Sequence, residues 1–250
     1  MGVKRAALSF VGLRAVEPVI NEVAERLTVA TERAIEEIVD RRGVAIAVDA
    51  DVFRLKHPTL RGRDLDRAYI ADRRWRGAAM GAVSGLPGIV PGAGTAVEVV
   101  AAVADALAIT HQQVELVLGL CHLHGRDLMD HDPRELDVLL ALGIEAGVIR
   151  REGNRLVAED LDLSLEELRR AGVPTAIIGR LNRTVGTRVI HRVARRRARV
   201  AVGRLIPAGI GVVIAAGADY MAVRSAGNAS LSYLEWFEST DGSRASLTAA

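Results

Sequence analysis

The fold is decided by the stretch Gly77-Ala-Ala-Met-Gly-Ala-Val-Ser-Gly-Leu-Pro-Gly-Ile-Val-Pro-Gly-Ala-Gly94, which contains no charged residue. A glycine recurs at every fourth position of its first half, so a helix would place these glycines on one face, where a second backbone can approach closely. They are Gly77, Gly81 and Gly85. The pairs Pro87-Gly88 and Pro91-Gly92 then break the helix into a turn. We therefore predict a helical hairpin.

A second glycine-rich run, Leu205-Ile-Pro-Ala-Gly-Ile-Gly-Val-Val-Ile-Ala-Ala-Gly-Ala218, ends at Asp219. We assign its glycines Gly209 and Gly211 to helix packing as well. A group of arginines precedes each run, and these arginines are candidates for contact with an anionic surface. They are Arg73, Arg74 and Arg76 before the first run, and Arg192, Arg195, Arg196, Arg197 and Arg199 before the second.

The rest of the sequence predicts an all-α, multi-helix bundle. Apolar residues from Leu13 to Ala34 recur at spacings of three and four, which indicates an amphipathic helix that ends at Gly43. A second helix starts near Asp64. Thr95 and Glu98 form a capping-box pattern, which begins a long helix that stops at Gly125.

Three further signals lie in the second half of the chain. Asp132-Pro133 resembles a helix start with Asp as N-cap, and Ser164 with Glu167 forms another capping box. A Gly153-Asn154 turn between residues 148 and 157 predicts one small β-hairpin, and a long basic helix follows Pro174. We predict a single helical domain over residues 1–238 and a flexible tail over 239–250.

Composition indicates a helical protein of a reducing compartment. Half of the residues are apolar and only 3% are aromatic, which suits closely packed helices. The single cysteine, Cys121, excludes an internal disulfide. No long apolar core follows Lys4 and Arg5, so we expect no cleaved signal peptide.

Three of these motifs, in this order and spacing, resemble the EcsC family of bacterial proteins. They are the glycine-rich stretch 77–88 with the helix after it, Gly125-Arg-Asp-Leu-Met-Asp-His-Asp-Pro133, and Leu205-Ile-Pro-Ala-Gly-Ile-Gly. The likeness spans about residues 65–237. It implies a helical, membrane-associated accessory protein, since the family is named after a protein encoded beside an ABC transporter, and it implies no established reaction. This chain has Asp219 where the family pattern leads us to expect an asparagine.

The glycine-rich runs allow two interpretations. Residues 77–97 form 21 uncharged positions, nominally enough to span a bilayer. The prolines break that stretch, and Glu98 and Asp105 follow it, each costing about 3 kcal/mol at bilayer depth. A shallow hairpin in one leaflet would need less length and would set the arginines against anionic headgroups. Alternatively both runs form the centre of a soluble bundle; we favour a soluble or peripheral protein.

A polar stripe on the long helix is the first candidate site. Together with Ala101 and Ala108, its members follow spacings of three and four and so share one face. The polar members are Glu98, Asp105, Gln112 and Glu115. We favour a stripe that faces water, with internal arginine contacts as the second interpretation and a catalytic or ion-binding cluster as the third.

A His-rich corner at the end of that helix is the second candidate. Its residues are Cys121, His122, His124, Asp127, Asp130, His131 and Asp132. His122 and His124 lie two apart and point to different faces of a helix, and no familiar ligand spacing is present. We therefore predict no metal and no cofactor.

These features favour one function and leave two alternatives. We expect a non-catalytic accessory or scaffold protein of the EcsC type, cytoplasmic or peripheral on the inner face of the cell membrane, with a membrane surface or a helical membrane partner such as an ABC transporter. No small-molecule ligand is identifiable. One alternative is an enzyme or ion-binding protein that uses Glu98, Asp105 and the His-rich corner. The other is nucleic-acid binding through residues 192–199, which the lack of stacking aromatics and the balanced charge make unlikely.

Overall fold

The computed structural model describes residues 33, 35–84, 95–159, 161–169, 174–188 and 210–248. Within these ranges only the backbone is described for residues 80–84, 95–106, 169, 210–215 and 240–248. The described chain is mostly helical with one small antiparallel sheet, which confirms the predicted fold class.

The helices and strands follow one another in the order of the sequence. They are α1 (35–56), α2 (Gly62–Ser84), α3 (Thr95–Leu123), α4 (His131–Ala146), β1 (Arg150–Glu152), β2 (Arg155–Ala158), β3 (Leu161–Ser164), α5 (Leu165–Arg169), α6 (175–188) and α7 (Ile210–Thr248).

The centre of the bundle consists of α2, α3 and α7. Tyr69 of α2 lies against Gly119 of α3, and Ile70 of α2 lies against Gly227 of α7. Further along α2, Gly77 lies against α3 and α7 at residues that come earlier in both helices. The helix α2 therefore runs antiparallel to α3 and α7. Its most extensive packing is with α7, and the two opposed glycines allow Tyr69 and Ile70 to fill the space between the axes.

The helix α1 passes through Gly43, where the sequence predicted its end, and continues to residue 56 before the turn at His57-Pro58. A Cβ at Gly43 would lie 2.9 Å from the carbonyl oxygen of Leu128. The glycine therefore allows α1 to cross closely over the segment after α3, and it does not end the helix. The predicted start of this helix, near Leu13, lies outside the described residues.

The end of α3 agrees with the prediction. Gly125 has a φ of +75°, its N–H donates to His122 O, and Arg126 N donates to Cys121 O, both at 2.9 Å. This is the Schellman pattern, which needs the left-handed conformation that glycine adopts easily.

The predicted start of α4 was wrong by two residues. The helix begins at His131 with Asp130 in the N-cap position, and Asp130 makes no side-chain capping bond. Asp132 instead lies in the first turn, where an acidic residue interacts favourably with the helix dipole. The first turn of a helix tolerates proline, so Pro133 does not show at which residue α4 begins.

The predicted hairpin is present, and a third strand extends it. Gly153, at a φ of +59°, joins β1 to β2, and β3 pairs antiparallel with β2. The four residues of β3 are too few to show a clear alternation in sequence. Ser164 then caps α5 as predicted: its N–H donates to Glu167 Oε2 at 2.8 Å, and Glu167 N donates to Ser164 Oγ at 3.2 Å.

The helix α7 continues to Thr248, through most of the segment 239–250 for which the sequence predicted a flexible tail. Extending a helix that is already formed fixes one residue per added hydrogen bond, so it is far easier than starting one. Several of the predicted site residues lie outside the described ranges. They are Gly85, Gly209, Arg192, Arg195, Arg196, Arg197 and Arg199.

Candidate functional site

Three helices meet at the level of Gly77. A Cβ on Gly77 would lie 2.7 Å from Gln112 Oε1 of α3 and 3.0 Å from Val223 Cγ2 of α7. Beyond this level α2 continues to Ser84, α3 begins at Thr95, and α7 begins at Ile210. We call residues 78–84, 95–110 and 210–218 the apolar end of the bundle, since Glu98 and Asp105 are their only charged residues.

Aromatic side chains stand where α2 and α7 enter the apolar end. The ring centroids of Trp75 and Tyr220 are 5.4 Å apart, with an edge-on arrangement. The guanidinium carbon of Arg74 lies 4.8 Å from the centroid of the Tyr220 ring. Trp75 is 66% exposed. We call Arg74, Trp75 and Tyr220 the aromatic rim. Tryptophan and tyrosine are enriched where protein meets both lipid and water.

Arg73 points into the protein, unlike the surface role that the sequence suggested for it. It donates to Tyr69 Oη at 2.9 Å and forms an ion pair with Asp49 of α1, and its side chain is only 13% exposed. Burial, together with the charge of nearby Arg76, lowers the pKa of Arg73 to about 10, and Glu115 opposes the change. Arg73 thus connects α1 to α2 and remains charged at neutral pH.

Arg76 is exposed and pairs with Asp72 one turn earlier, at 3.0 Å. Of the three arginines in this group, Arg76 therefore has a surface position, Arg74 is half-buried, and Arg73 is internal.

The polar stripe lies partly inside the fold. Glu115 is 18% exposed and binds Arg42 of α1 at 2.8 Å, and Gln112 faces Gly77. We favoured a stripe that faces water, and at these two positions it does not. Glu115 fits the second interpretation, an internal arginine contact. Glu98 and Asp105 are helical, but their side chains lie outside the described part.

The His-rich corner is divided among separate acidic partners. His122 Nε2 lies 3.1 Å from Asp51 of α1, and His131 Nε2 lies 2.9 Å from Asp40 of the same helix. Cys121 is fully buried, and burial, followed by the charge of Asp137, raises the pKa of its thiol. Among the side chains described, no three His, Cys, Asp or Glu residues are placed to hold one metal ion.

His124 connects two helices through its ring. Its Nε2 lies 3.2 Å from Asp66 of α2 and its Nδ1 lies 2.6 Å from Glu238 of α7. The hydrogen bond to Asp66, opposed by burial and supported by the hydrogen bond to Glu238, raises the pKa of His124 to about 9. The protonated ring therefore donates to both carboxylates at neutral pH.

Glu98 and Asp105 of the polar stripe do not form one site with the His-rich corner. Glu98 and His122 lie 24 residues apart on the single helix α3, and at ~1.5 Å per residue they are about 36 Å apart along its axis. An active site that uses both groups together is inconsistent with this separation.

A buried charged network was missed by the sequence analysis. Arg126 donates to both carboxylate oxygens of Asp137, at 2.8 and 2.6 Å, and Tyr233 Oη donates to Asp137 Oδ1 at 2.6 Å. The Arg126 guanidinium also stacks on Phe237 at 4.3 Å. Burial opposes the charge of Arg126, but its hydrogen bond and ion pair with Asp137 raise its pKa overall. The sequence signal for this network was Asp137, the one charged residue in the otherwise apolar stretch 136–142.

The chain matches no family model, no curated protein and no solved structure. Within the described residues, no helix combines the length and the apolar character needed to cross a membrane.

Proposed function

We propose that this protein is a non-catalytic accessory or scaffold protein of the EcsC type, peripheral on the inner face of the cell membrane. The observation that supports this function is the apolar end: α2, α3 and α7 bring their charge-poor ends to one end of the bundle. The aromatic rim, with Trp75 largely exposed, stands at the start of that end.

The arrangement favours a shallow contact with the membrane. Tryptophan and tyrosine prefer the headgroup region, because the ring contacts apolar groups there while its polar N–H or O–H remains hydrated. An arginine close to an anionic membrane surface contributes about 1 kcal/mol to binding. Glu98 and Asp105 lie on the part of α3 that belongs to the apolar end, and each would cost about 3 kcal/mol at the bilayer centre. The apolar end therefore rests in one leaflet.

Flotation with lipid vesicles tests this function. The full chain should float with vesicles of phosphatidylcholine and phosphatidylglycerol. Trp75→Ala should weaken the binding severalfold because it removes an exposed indole from the rim. Met129→Ala is the matched control: Met129 is 60% exposed but follows the C-terminal end of α3, away from the rim. Equal binding by the two variants, or no flotation of the unmodified chain, would refute the proposal.

An exposed apolar row on α1 supports the scaffold part of the function. Val44, Val48, Val52 and Leu55 are 61%, 57%, 40% and 77% exposed, and their spacings of four, four and three place them on one helix face. Such a row fits the apolar face of another helix. We propose a helix of a membrane protein, such as an ABC transporter, as its partner.

Photocrosslinking in cells tests this partner. A photoreactive residue at Val48 should give a crosslink that mass spectrometry identifies as a protein with transmembrane helices. The same residue at Arg67, an exposed position on α2, should not give it. A crosslink only to a second copy of this chain, or the same products from both positions, would contradict the proposed partner.

A further inference from the structure

We infer that Arg74 binds the phosphate group of an anionic lipid at the aromatic rim. This inference rests on the proposed function, in which the rim contacts the membrane. Arg74 is half-buried on α2, and its guanidinium stacks on the Tyr220 ring with 4.8 Å between the guanidinium carbon and the ring centroid. Its Nε atom is buried without a hydrogen-bond acceptor in the structure.

The neighbouring arginines differ from Arg74 in having acidic partners. Arg73 pairs with Asp49, and Arg76 pairs with Asp72. Arg74 has no carboxylate within ion-pair distance in the described part of the chain, although it is less exposed than Arg76. The buried Nε–H of Arg74 is costly without an acceptor, since its removal from water is not compensated by a new hydrogen bond.

Phosphate is the group that best completes this arrangement. A guanidinium presents its donors as a rigid planar fork that matches two oxygens of a phosphate. The contact with the Tyr220 ring restricts the guanidinium, so less side-chain freedom is lost on binding than for an arginine without such a contact. Trp75, next in the chain and in contact with the same tyrosine, would lie at the depth of the headgroups that contain the phosphate.

Vesicle binding with and without phosphatidylglycerol measures this site. The unmodified chain should bind more tightly when phosphatidylglycerol is added to phosphatidylcholine. Arg74→Gln should remove most of that gain, about five- to tenfold, as expected for one desolvated cation. Arg74→Lys should restore part of it, because lysine keeps the charge but loses the planar fork.

Arg67→Gln is the matched control, since Arg67 is an arginine of the same helix that is 71% exposed and lies two turns before the rim. It should cost less than twofold, and thermal unfolding should show that all variants fold. If Arg74→Gln and Arg67→Gln lose the same amount of binding, the inference is wrong, even when Trp75→Ala still shows that the rim meets the membrane.

Competition with inorganic phosphate identifies the source of the phosphate group. If an excess of inorganic phosphate lowers vesicle binding no more than sulfate does at equal ionic strength, the result supports a lipid headgroup as the source of the phosphate group. If inorganic phosphate binds the unmodified chain in solution and not Arg74→Gln, while no vesicle is bound, the phosphate site is supported and the proposed membrane function fails. Absence of both kinds of binding overturns both.

Discussion

The indole of Trp75 packs edge-on against the ring of Tyr220, with centroids 5.4 Å apart and an angle of 67° between the ring planes. Trp75 precedes Arg76, the last charged residue of α2, and Tyr220 follows Asp219, the first charged residue of α7. This contact therefore joins the two helices at the point where both become uncharged. It makes the described parts of the two glycine-rich runs, far apart in sequence, parts of one end of the bundle.

The buried pair of Arg126 and Asp137 should control stability. Asp137→Asn leaves the Arg126 guanidinium without its charged partner, so we expect a loss of about 3–5 kcal/mol. Tyr233→Phe removes one hydrogen bond to the carboxylate and should cost about 1.5–3 kcal/mol. Urea unfolding measures both. Glu235→Gln, which breaks the exposed pair with Arg63, should cost under about 1 kcal/mol. Equal losses for all three variants would show that the buried network contributes no more to stability than an exposed ion pair.

Alanine at Gly119 should destabilise the protein by about 1–3 kcal/mol, because the new methyl group would lie 2.7 Å from Cζ of the buried Tyr69 ring. Gly179 of α6 provides the control, since nothing lies within 4 Å of a Cβ built there. Gly179→Ala should gain about 0.5–1 kcal/mol from helix propensity. Thermal unfolding of both variants gives the comparison, and a stable Gly119→Ala would indicate that α2 and α3 pack less closely than described.

His124 should make stability fall at alkaline pH. Its pKa is raised above the usual 6.5 to about 9 in the folded state, so its contribution is fully present below pH 6.5 and is lost as the pH rises through about 9. The difference in unfolding free energy between the unmodified chain and His124→Gln should therefore shrink between about pH 6 and about pH 10. A difference that stays constant over this interval would show that the ring does not titrate in this way.

Cys121 should resist thiol reagents while the protein is folded. Its side chain is fully buried and the pKa of its thiol is raised, so very little reactive thiolate is accessible at neutral pH. We expect Ellman's reagent to react only as the chain unfolds, at a rate that follows urea concentration. Rapid stoichiometric reaction in buffer alone would place Cys121 at a surface.

The sequence predicted the helices best where the local signal was strong. The end of α3 at Gly125 and the capping box at Ser164 depend only on backbone conformation and neighbouring side chains, so they could be recognised from a few residues. Gly43 shows the limit of this approach. A glycine that ends a helix and a glycine that permits a crossing look the same in sequence, and only the position of Leu128 distinguishes them.

The candidate site was predictable only in part for a related reason. The two arginines Arg73 and Arg74 are adjacent and chemically equal, yet α1 supplies Asp49 to the first and α7 supplies Tyr220 to the second. Likewise, Glu115 of the polar stripe meets Arg42 from a helix more than seventy positions earlier. Long-range partners of this kind leave no periodic signal.

The sequence by itself determined that the chain is helical, where several helices end, and that two glycine-rich runs lack charge, because these properties depend on residues close together in the chain. Only the tertiary structure decided which charges are neutralised inside and which remain available. That outcome depends on how α1, α2, α3 and α7 cross, since a charge next to an acid from another helix is already paired. Arg74 is therefore distinguished from its neighbours by packing alone.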